Sequence, residues 1–264
     1  MKDSDCIAFL QWALPRLRRQ WPGYRKVRGQ VCKRVTRRMG DLGLQSIEAY
    51  RARLESDPAE WAVLDGLTHI TISRFYRERA AFRYLCDTAL PELRTLASPE
   101  PVQIWSAGCA GGEEPYTLAM AAHEHGIPVQ IVATDADPLQ LERARRARYS
   151  PGSLKDLPAQ WRASYFEPEG DGFVFREDLR EKVELLQQDI RVEMPTGPFH
   201  LILCRYVAFM YFDRALQDEV AERLLTRTVP GGFVALGKRE SWPPGVPGLT
   251  EVRPGLRIYR VAPP

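Results

Sequence analysis

The sequence has no apolar run near the ~20 residues that a membrane span requires, so a membrane-embedded segment is not expected. Its opening, Met1-Lys2-Asp3-Ser4-Asp5, lacks the pattern of a secretion signal. Cys6, Cys32, Cys86, Cys109 and Cys204 are scattered, odd in number and without C-x-x-C spacing. That argues against a zinc site or a disulfide framework and for a reducing, cytoplasmic setting. Histidine is scarce, at four. His123 and His125 form an H-x-H pair with no further ligands nearby, so an exposed helix end is expected there and no metal. Acidic residues are missing altogether from residues 6–40. The glycine-rich turn at 108–112 lacks G-x-G-x-x-G, which excludes a dinucleotide fingerprint.

What is present is ordinary in amount and uneven in placement. At 264 residues, 44% hydrophobic and 27% charged, the chain can bury a core in one large or two small domains. The net charge of +3 conceals ten Lys and Arg residues within 6–40. Phe9, Leu10, Ala13, Leu14 and Leu17 have helical spacing, with Pro15 placed to kink or split that helix. Trp21-Pro22-Gly23-Tyr24 interrupts it. Val27, Val31, Val35 and Met39 then recur every four residues on a second helix whose other faces are basic. Ser46 caps a third helix through Leu54, and Asp57-Pro58 opens a fourth through Trp61 and Leu64. Residues 1–80 therefore read as an all-helical domain and 81–264 as a second. The basic helix, about 25–39, admits three readings: a solvated face, a nucleic-acid face, or a partner face. No DNA-binding pattern accompanies it, and no nucleic-acid partner is expected.

The second domain begins with a helix over Ala80–Leu96 and a linker, Ser98-Pro99-Glu100-Pro101. Val102-Gln103-Ile104-Trp105 is an apolar strand, Gly108, Gly111 and Gly112 make a tight turn, and Pro115 opens a helix. Strand, glycine turn and helix open a doubly wound α/β sheet. Glu113 and Glu114 stand where a pyrophosphate would meet the helix N-terminus. Their charge disfavours phosphate and favours a cationic group, which for a nucleoside ligand points to S-adenosylmethionine. Val129–Asp135 is a second strand, and Asp135, 23 residues after Gly112, falls where such folds set an acid against ribose hydroxyls. Asp135 and Asp137 also both fit a helix N-cap. Val183–Ile190 and Phe199–Arg205 read as further strands. Leu216–Val229 is an amphipathic helix, Pro230-Gly231-Gly232 a turn before Phe233–Gly237, and Leu256–Val261 a closing strand.

Ser106–Thr117, S-A-G-C-A-G-G-E-E-P-Y-T, resembles the S-A-G-C-S-[ST]-G-E-E-P-Y-[ST] motif of the CheR family, the chemotaxis receptor methyltransferases. Thr71–Glu78 resembles the family's T-x-F-F-R-[DE], and A-T-D-A-D-P with the A-R-x-x-x-Y ending at Tyr149 resembles another family segment. Leu154, Leu157-Pro158, Trp161 and Tyr165-Phe166 resemble L-x-x-L-P-x-x-W-x-x-x-Y-F. Cys204–Asp213 resembles C-R-N-x-x-x-Y-F-D, with Tyr206 in place of the asparagine and one extra residue before Tyr211-Phe212. Lys238-Arg239-Glu240-Ser241 stands where the family ends a strand with G-H-S-E-S.

The resemblance implies a class I methyltransferase, a Rossmann-like doubly wound sheet, with an N-terminal all-helical domain and a small antiparallel β-subdomain inserted at about 153–180. There Glu169-Gly170-Asp171-Gly172 reads as a hairpin turn. It implies S-adenosylmethionine as cofactor and S-adenosylhomocysteine as product. The cofactor would meet Thr71, Ser73, Arg77, Ala107, Gly108, Glu113, Asp135, Asp189, Ile190, Tyr206 and Val207. It implies a glutamate methyl ester as product on a chemoreceptor, whose acidic helices the basic helix would meet.

A carboxylate nucleophile is ionised at pH 7 and needs no general base. Arg77 would hold one of its oxygens, Tyr211 would donate a hydrogen bond from the end of its strand, Glu113 would hold the cofactor's ammonium and Asp135 its ribose. Two alternatives remain open. One is a methyltransferase for another protein or a small carboxylate, and the other is a non-catalytic sensor or scaffold that binds the cofactor.

Overall fold

The computed structural model describes residues 2–262, so Met1, which opens the expected helical domain, and Pro263 and Pro264, which close the second, lie outside the described residues. The chain divides into two compact units, Met1–Thr71 with Met210–Leu216, and Ile72–Phe209 with Gln217–Pro264. The segment 72–80, expected with the first domain, belongs to the second unit.

The first unit is helical: α1 Asp3–Ala13, α2 Trp21–Tyr24, α3 Arg28–Asp41, α4 Ile47–Ser56 and α5 Pro58–Leu67. Pro15 lacks the N–H that would continue α1, and a 3-10 turn at Leu14–Leu17 follows instead. The caps fall where side-chain chemistry places them. Ser46 accepts a hydrogen bond from the Ala49 N–H at 3.2 Å, and Asp57 accepts from that of Ala59 at 3.0 Å. Val31, Val35 and Met39 are buried along one face of α3. The expected absence of disulfides is overturned here. Cys6 of α1 and Cys32 of α3 form one, with Cα atoms 5.9 Å apart. They lie 26 residues apart in sequence, and only the packing of two helices brings them together. Cys86, Cys109 and Cys204 are free and buried.

The second unit opens with α6 Arg79–Tyr84 and α7 Leu90–Ala97, continuous through a π-turn at Leu85–Ala89. Strands and helices then alternate: β1 Val102–Ala107, α8 Glu113–Glu124, β2 Val129–Asp135 and α9 Pro138–Arg146. The small β-subdomain follows, with β3 Arg148–Tyr149, α10 Ala159–Tyr165, β4 Phe166–Glu169 and β5 Gly172–Phe175. The main sheet resumes after α11 Glu177–Arg180 with β6 Val183–Gln187, β7 Phe199–Cys204 and β8 Thr228–Ala235, and closes with β9 Leu249–Glu251 and β10 Ile258–Val261. Between β7 and β8 run α12 Ala208–Tyr211 and α13 Arg214–Leu225.

The main sheet has seven strands in the order β6-β2-β1-β7-β8-β10-β9, with β6 to β8 parallel and β10 antiparallel to both its neighbours. The chain winds outward from β1 to β2 and β6, then returns to start β7 on the other side of β1. That reversal makes the carboxyl ends of β1 and β7 the switch point where open α/β sheets hold ligands. Pro230-Gly231-Gly232, expected as a turn, is an irregularity inside β8, where the register to β7 shifts between Phe199 and Leu201. The β-subdomain is a separate sheet ordered β3-β5-β4, and its first strand, only two residues long, precedes the expected insert. No helix among the described residues is long and apolar enough to cross a membrane.

Candidate active site

The switch point is built first by backbone. After β1 the Gly108 and Cys109 N–H groups donate to the Thr134 carbonyl at 2.7 and 2.9 Å, which ties the turn to β2. Gly108 has φ +70, and a Cβ there would fall 2.1 Å from Cγ2 of Val207, so glycine is required on both counts. This close approach brings together two expected cofactor residues, Gly108 and Val207, from the ends of β1 and β7. Ala107 is buried, in register with Thr134 and Cys204.

Asp135 ends β2 and faces the same turn. Its Oδ2 accepts from the Ala110 N–H at 2.8 Å, and its Oδ1 accepts from that of Asp137 at 2.9 Å. Burial raises its pKa above the ordinary value, against the pull of those donors. Each oxygen keeps a lone pair for a ribose hydroxyl. Asp137, not Asp135, caps α9, accepting from Leu139 N–H at 2.9 Å.

Glu113 opens α8 and is fully buried. Its Oε1 is paired with the Arg143 guanidinium, so the carboxylate is not an open negative end as expected. Its Oε2 is buried with no hydrogen-bond partner among the described residues. An unpartnered carboxylate oxygen costs desolvation energy that a cationic ligand group would recover. Two acids at this turn, Asp135 oriented by two backbone donors and Glu113 with one unpartnered oxygen, thus make an acceptor set that fits a ligand with hydroxyls and a cationic group.

Asp189 departs from its expected place. The strand ends at Gln187, and the Asp189 carboxylate binds Arg191 through its guanidinium, at 2.6 to 3.0 Å, and its N–H, at 2.9 Å. Ile190 is buried, and its carbonyl accepts from Arg223 at 3.1 Å. His123 and His125 are exposed at the end of α8, and His125 lies 3.9 Å from Asp87.

The segment before α6 is anchored by its aromatics. Phe75 is fully buried, edge-on to Tyr149 at 4.7 Å and Phe166 at 5.0 Å. The Tyr76 N–H donates to the Thr117 hydroxyl at 3.3 Å. Ser73 is half-buried in this segment, and Thr71 belongs to the first unit, at the end of its N-terminal stretch. Arg77 Nη1 donates to the Ile72 carbonyl at 2.7 Å, and its guanidinium lies over the Tyr206 ring, 4.1 Å from the centroid.

Four charged residues form the floor here, Arg205, Glu78, Glu114 and Glu240, and of these sequence reasoning gave a role to Glu114 alone. Arg205, only 7% exposed, donates to Glu78 at 2.7 Å, to Glu114 at 2.8 Å and to the Arg77 carbonyl at 3.1 Å. Glu114 also accepts from the Ser106 hydroxyl at 3.0 Å. Burial opposes the charged form of Glu78, and the Arg205 charge overrides it, so its carboxyl lies below the usual range. Glu240, 1% exposed, accepts at Oε2 from the Tyr206 and Gly237 N–H groups, both at 2.7 Å. Its Oε1 has no partner among the described residues, and burial pushes its pKa up to about 7. Each of these residues stood inside or beside a motif already quoted. For Arg205 the signal was a charged residue directly after a buried strand and before an aromatic.

Tyr206 has φ +60, a region in which asparagine is several-fold enriched over bulky residues. That accounts for the asparagine of the resembling motif. Here Glu240 accepts from the Tyr206 N–H and holds a tyrosine at this positive φ. Tyr211 lies at the end of α12, not of a strand, and belongs to the first unit. There its ring packs 5.1 Å from that of Tyr24, and its carbonyl accepts from the Gln20 N–H at 2.9 Å.

The CheR methyltransferase S-adenosylmethionine-binding domain matches residues 71–255, and the CheR methyltransferase all-alpha domain matches residues 26–64. Chemotaxis protein methyltransferase 2 of Pseudomonas aeruginosa is 32% identical over 225 residues, 80% of this chain and 78% of that protein. The chemotaxis protein methyltransferase of Escherichia coli is 33% identical over 228 residues, 81% of this chain and 77% of that one. A 104.1 kDa protein of Rhodobacter capsulatus is 28% identical over 220 residues, and there this chain spans only 23% of the partner sequence. Among solved structures, the plantazolicin methyltransferase BpumL with SAH is 14% identical with a TM-score of 0.35, covering 61% of this chain and 48% of that one, a likeness too slight to weigh.

Proposed function

The chain belongs to the CheR methyltransferase family, S-adenosylmethionine-dependent methyltransferases, and on that premise we propose that it esterifies glutamate side chains on an acidic helical protein, the cytoplasmic region of a chemoreceptor. The observation that carries this reading is the pair of acids at the switch point. Asp135 is oriented by two backbone donors, and Glu113 keeps a buried, unpartnered oxygen. The cofactor supplies an activated methyl group on a sulfonium that carries its own leaving group. The rest is orientation and charge control by the protein. Arg77 binds one oxygen of the incoming carboxylate through its guanidinium and leaves the other directed at the methyl carbon. The incoming side chain is already ionised, so no proton need be moved. Arg205, between Glu78 and Glu114, keeps their two negative charges from repelling that carboxylate.

The basic helix α3 supports a polyanionic partner through part of its charge. Arg28 is paired with Asp3, Arg38 with Glu60, and Arg34 donates to the Leu67 and His69 carbonyls. Arg25, Lys26, Lys33 and Arg37 are exposed and available to an acidic surface. The test is methyl transfer from radiolabelled S-adenosylmethionine to a chemoreceptor cytoplasmic fragment. Label released as methanol by mild alkali is expected, because a carboxyl ester hydrolyses there. Alkali-stable label would overturn the ester, and cofactor binding without transfer to any acidic helical substrate would favour a scaffold.

A further inference from the structure

Tyr206 stands where the resembling motif has asparagine, and its side chain is held from every side. Its hydroxyl donates to Glu78 Oε1, and burial with that bond pushes its pKa up to about 12. Its N–H is pinned by Glu240. One edge of the ring lies against Gly237, where an added Cβ would fall 2.6 Å from Cε2 and 2.7 Å from Cζ. The ring face carries the Arg77 guanidinium at 4.1 Å. Arg77 is otherwise held by one bond, from Nη1 to the Ile72 carbonyl. A flat cation on an aromatic face is restrained in height and tilt, and its outward N–H groups stay free to bind.

We propose that Tyr206 is the positioning residue that sets where the Arg77 guanidinium points, doing by stacking what an asparagine amide at this position cannot do. This rests on Arg77 being the group that receives the substrate carboxylate. Glu78, itself held by Arg205, accepts from the ring's hydroxyl, and Glu240, which also accepts from the Gly237 N–H, fixes the backbone from which the ring projects. The floor of ion pairs described above thereby acts on the reaction through one aromatic ring.

The test has two arms on the full-length chain. In the first, the Arg77 Nε–H resonance, identified by its loss in Arg77→Lys, is followed by NMR. It is expected to be ring-current shifted in the wild type and in Tyr206→Phe, and to return to the ordinary arginine position in Tyr206→Leu. In the second, Tyr206→Leu is expected to lower kcat/KM for the acidic substrate about three- to thirtyfold, the span of a cation–π contact. Tyr206→Phe, which keeps the ring, is expected to recover most of that loss. An unshifted wild-type resonance, or one that Tyr206→Leu leaves in place, overturns the proposal. So does full kcat/KM in Tyr206→Leu. Should Tyr206→Leu not fold, Gly237→Ala displaces the same ring from its other side, and both arms are read on it. A wild type that methylates no acidic substrate overturns the proposed function, and the NMR arm still decides the clamp.

Discussion

The Oδ2 atom of Asp135 accepts a hydrogen bond of 2.8 Å from the backbone N–H of Ala110, so the acid that ends β2 is oriented by the turn that follows β1. Asp135→Ala removes a charged acceptor from the ligand and frees the turn at once. Calorimetric titration with S-adenosylhomocysteine is expected to show micromolar binding by the wild type, weakened by about 1–3 kcal/mol in the variant. Unchanged affinity would remove Asp135 from the site.

Arg205 bridges two carboxylates in a nearly water-free place, and burying such a charge is tolerable only while it is paired. Arg205→Met leaves Glu78 and Glu114 facing each other unneutralised. Chemical denaturation is expected to show a loss of about 3–5 kcal/mol. Adding Glu78→Gln and Glu114→Gln to the same chain is expected to restore part of it, which a simple cavity effect would not.

The Glu240 carboxyl, with its pKa pushed up to about 7, predicts a particular pH dependence. Between pH 4.5 and 7 the native chain retains a proton that the unfolded chain has released. Stability from this group therefore falls as pH rises across that window and levels off above it. The total is on the order of 3 kcal/mol. Glu240→Gln is expected to flatten that part of a stability-against-pH curve. A variant curve parallel to the wild type would show that Glu240 is charged throughout.

Reduction of Cys6–Cys32 opens a loop of 26 residues in the first unit. The chain-entropy cost predicts about 3 kcal/mol of lost stability, on reduction or in Cys6→Ser. The check is a thermal melt with and without dithiothreitol, with Cys6→Ser as the variant that no longer responds.

Lys33 and Arg37 project from α3 into solvent. Lys33→Glu with Arg37→Glu is expected to raise KM for an acidic helical substrate severalfold and to leave kcat and thermal stability near the wild type. The increase is expected to shrink at high salt, because exposed charges are screened. Equal kinetics would assign these residues to a solvated surface only.

Much of this was legible in the chain itself, because it depended on neighbours in sequence. The caps at Ser46 and Asp57, the four-residue apolar spacing of α3 and the strand–glycine–helix order at 102–120 are local effects of propensity and period. So was the family, since a twelve-residue motif such as Ser106–Thr117 constrains a turn completely. Tertiary structure alone decided who pairs with whom. Cys6 meets Cys32 because two helices pack. Glu113 meets Arg143 across 30 residues, Glu78 meets Arg205 across 127, and Tyr206 meets Glu240 across 34. A carboxylate carries the same charge wherever it stands in a sequence. Burial and the partner it finds decide whether that charge is spent on a neighbour, as in Glu113 Oε1, or left for a ligand, as in Glu113 Oε2.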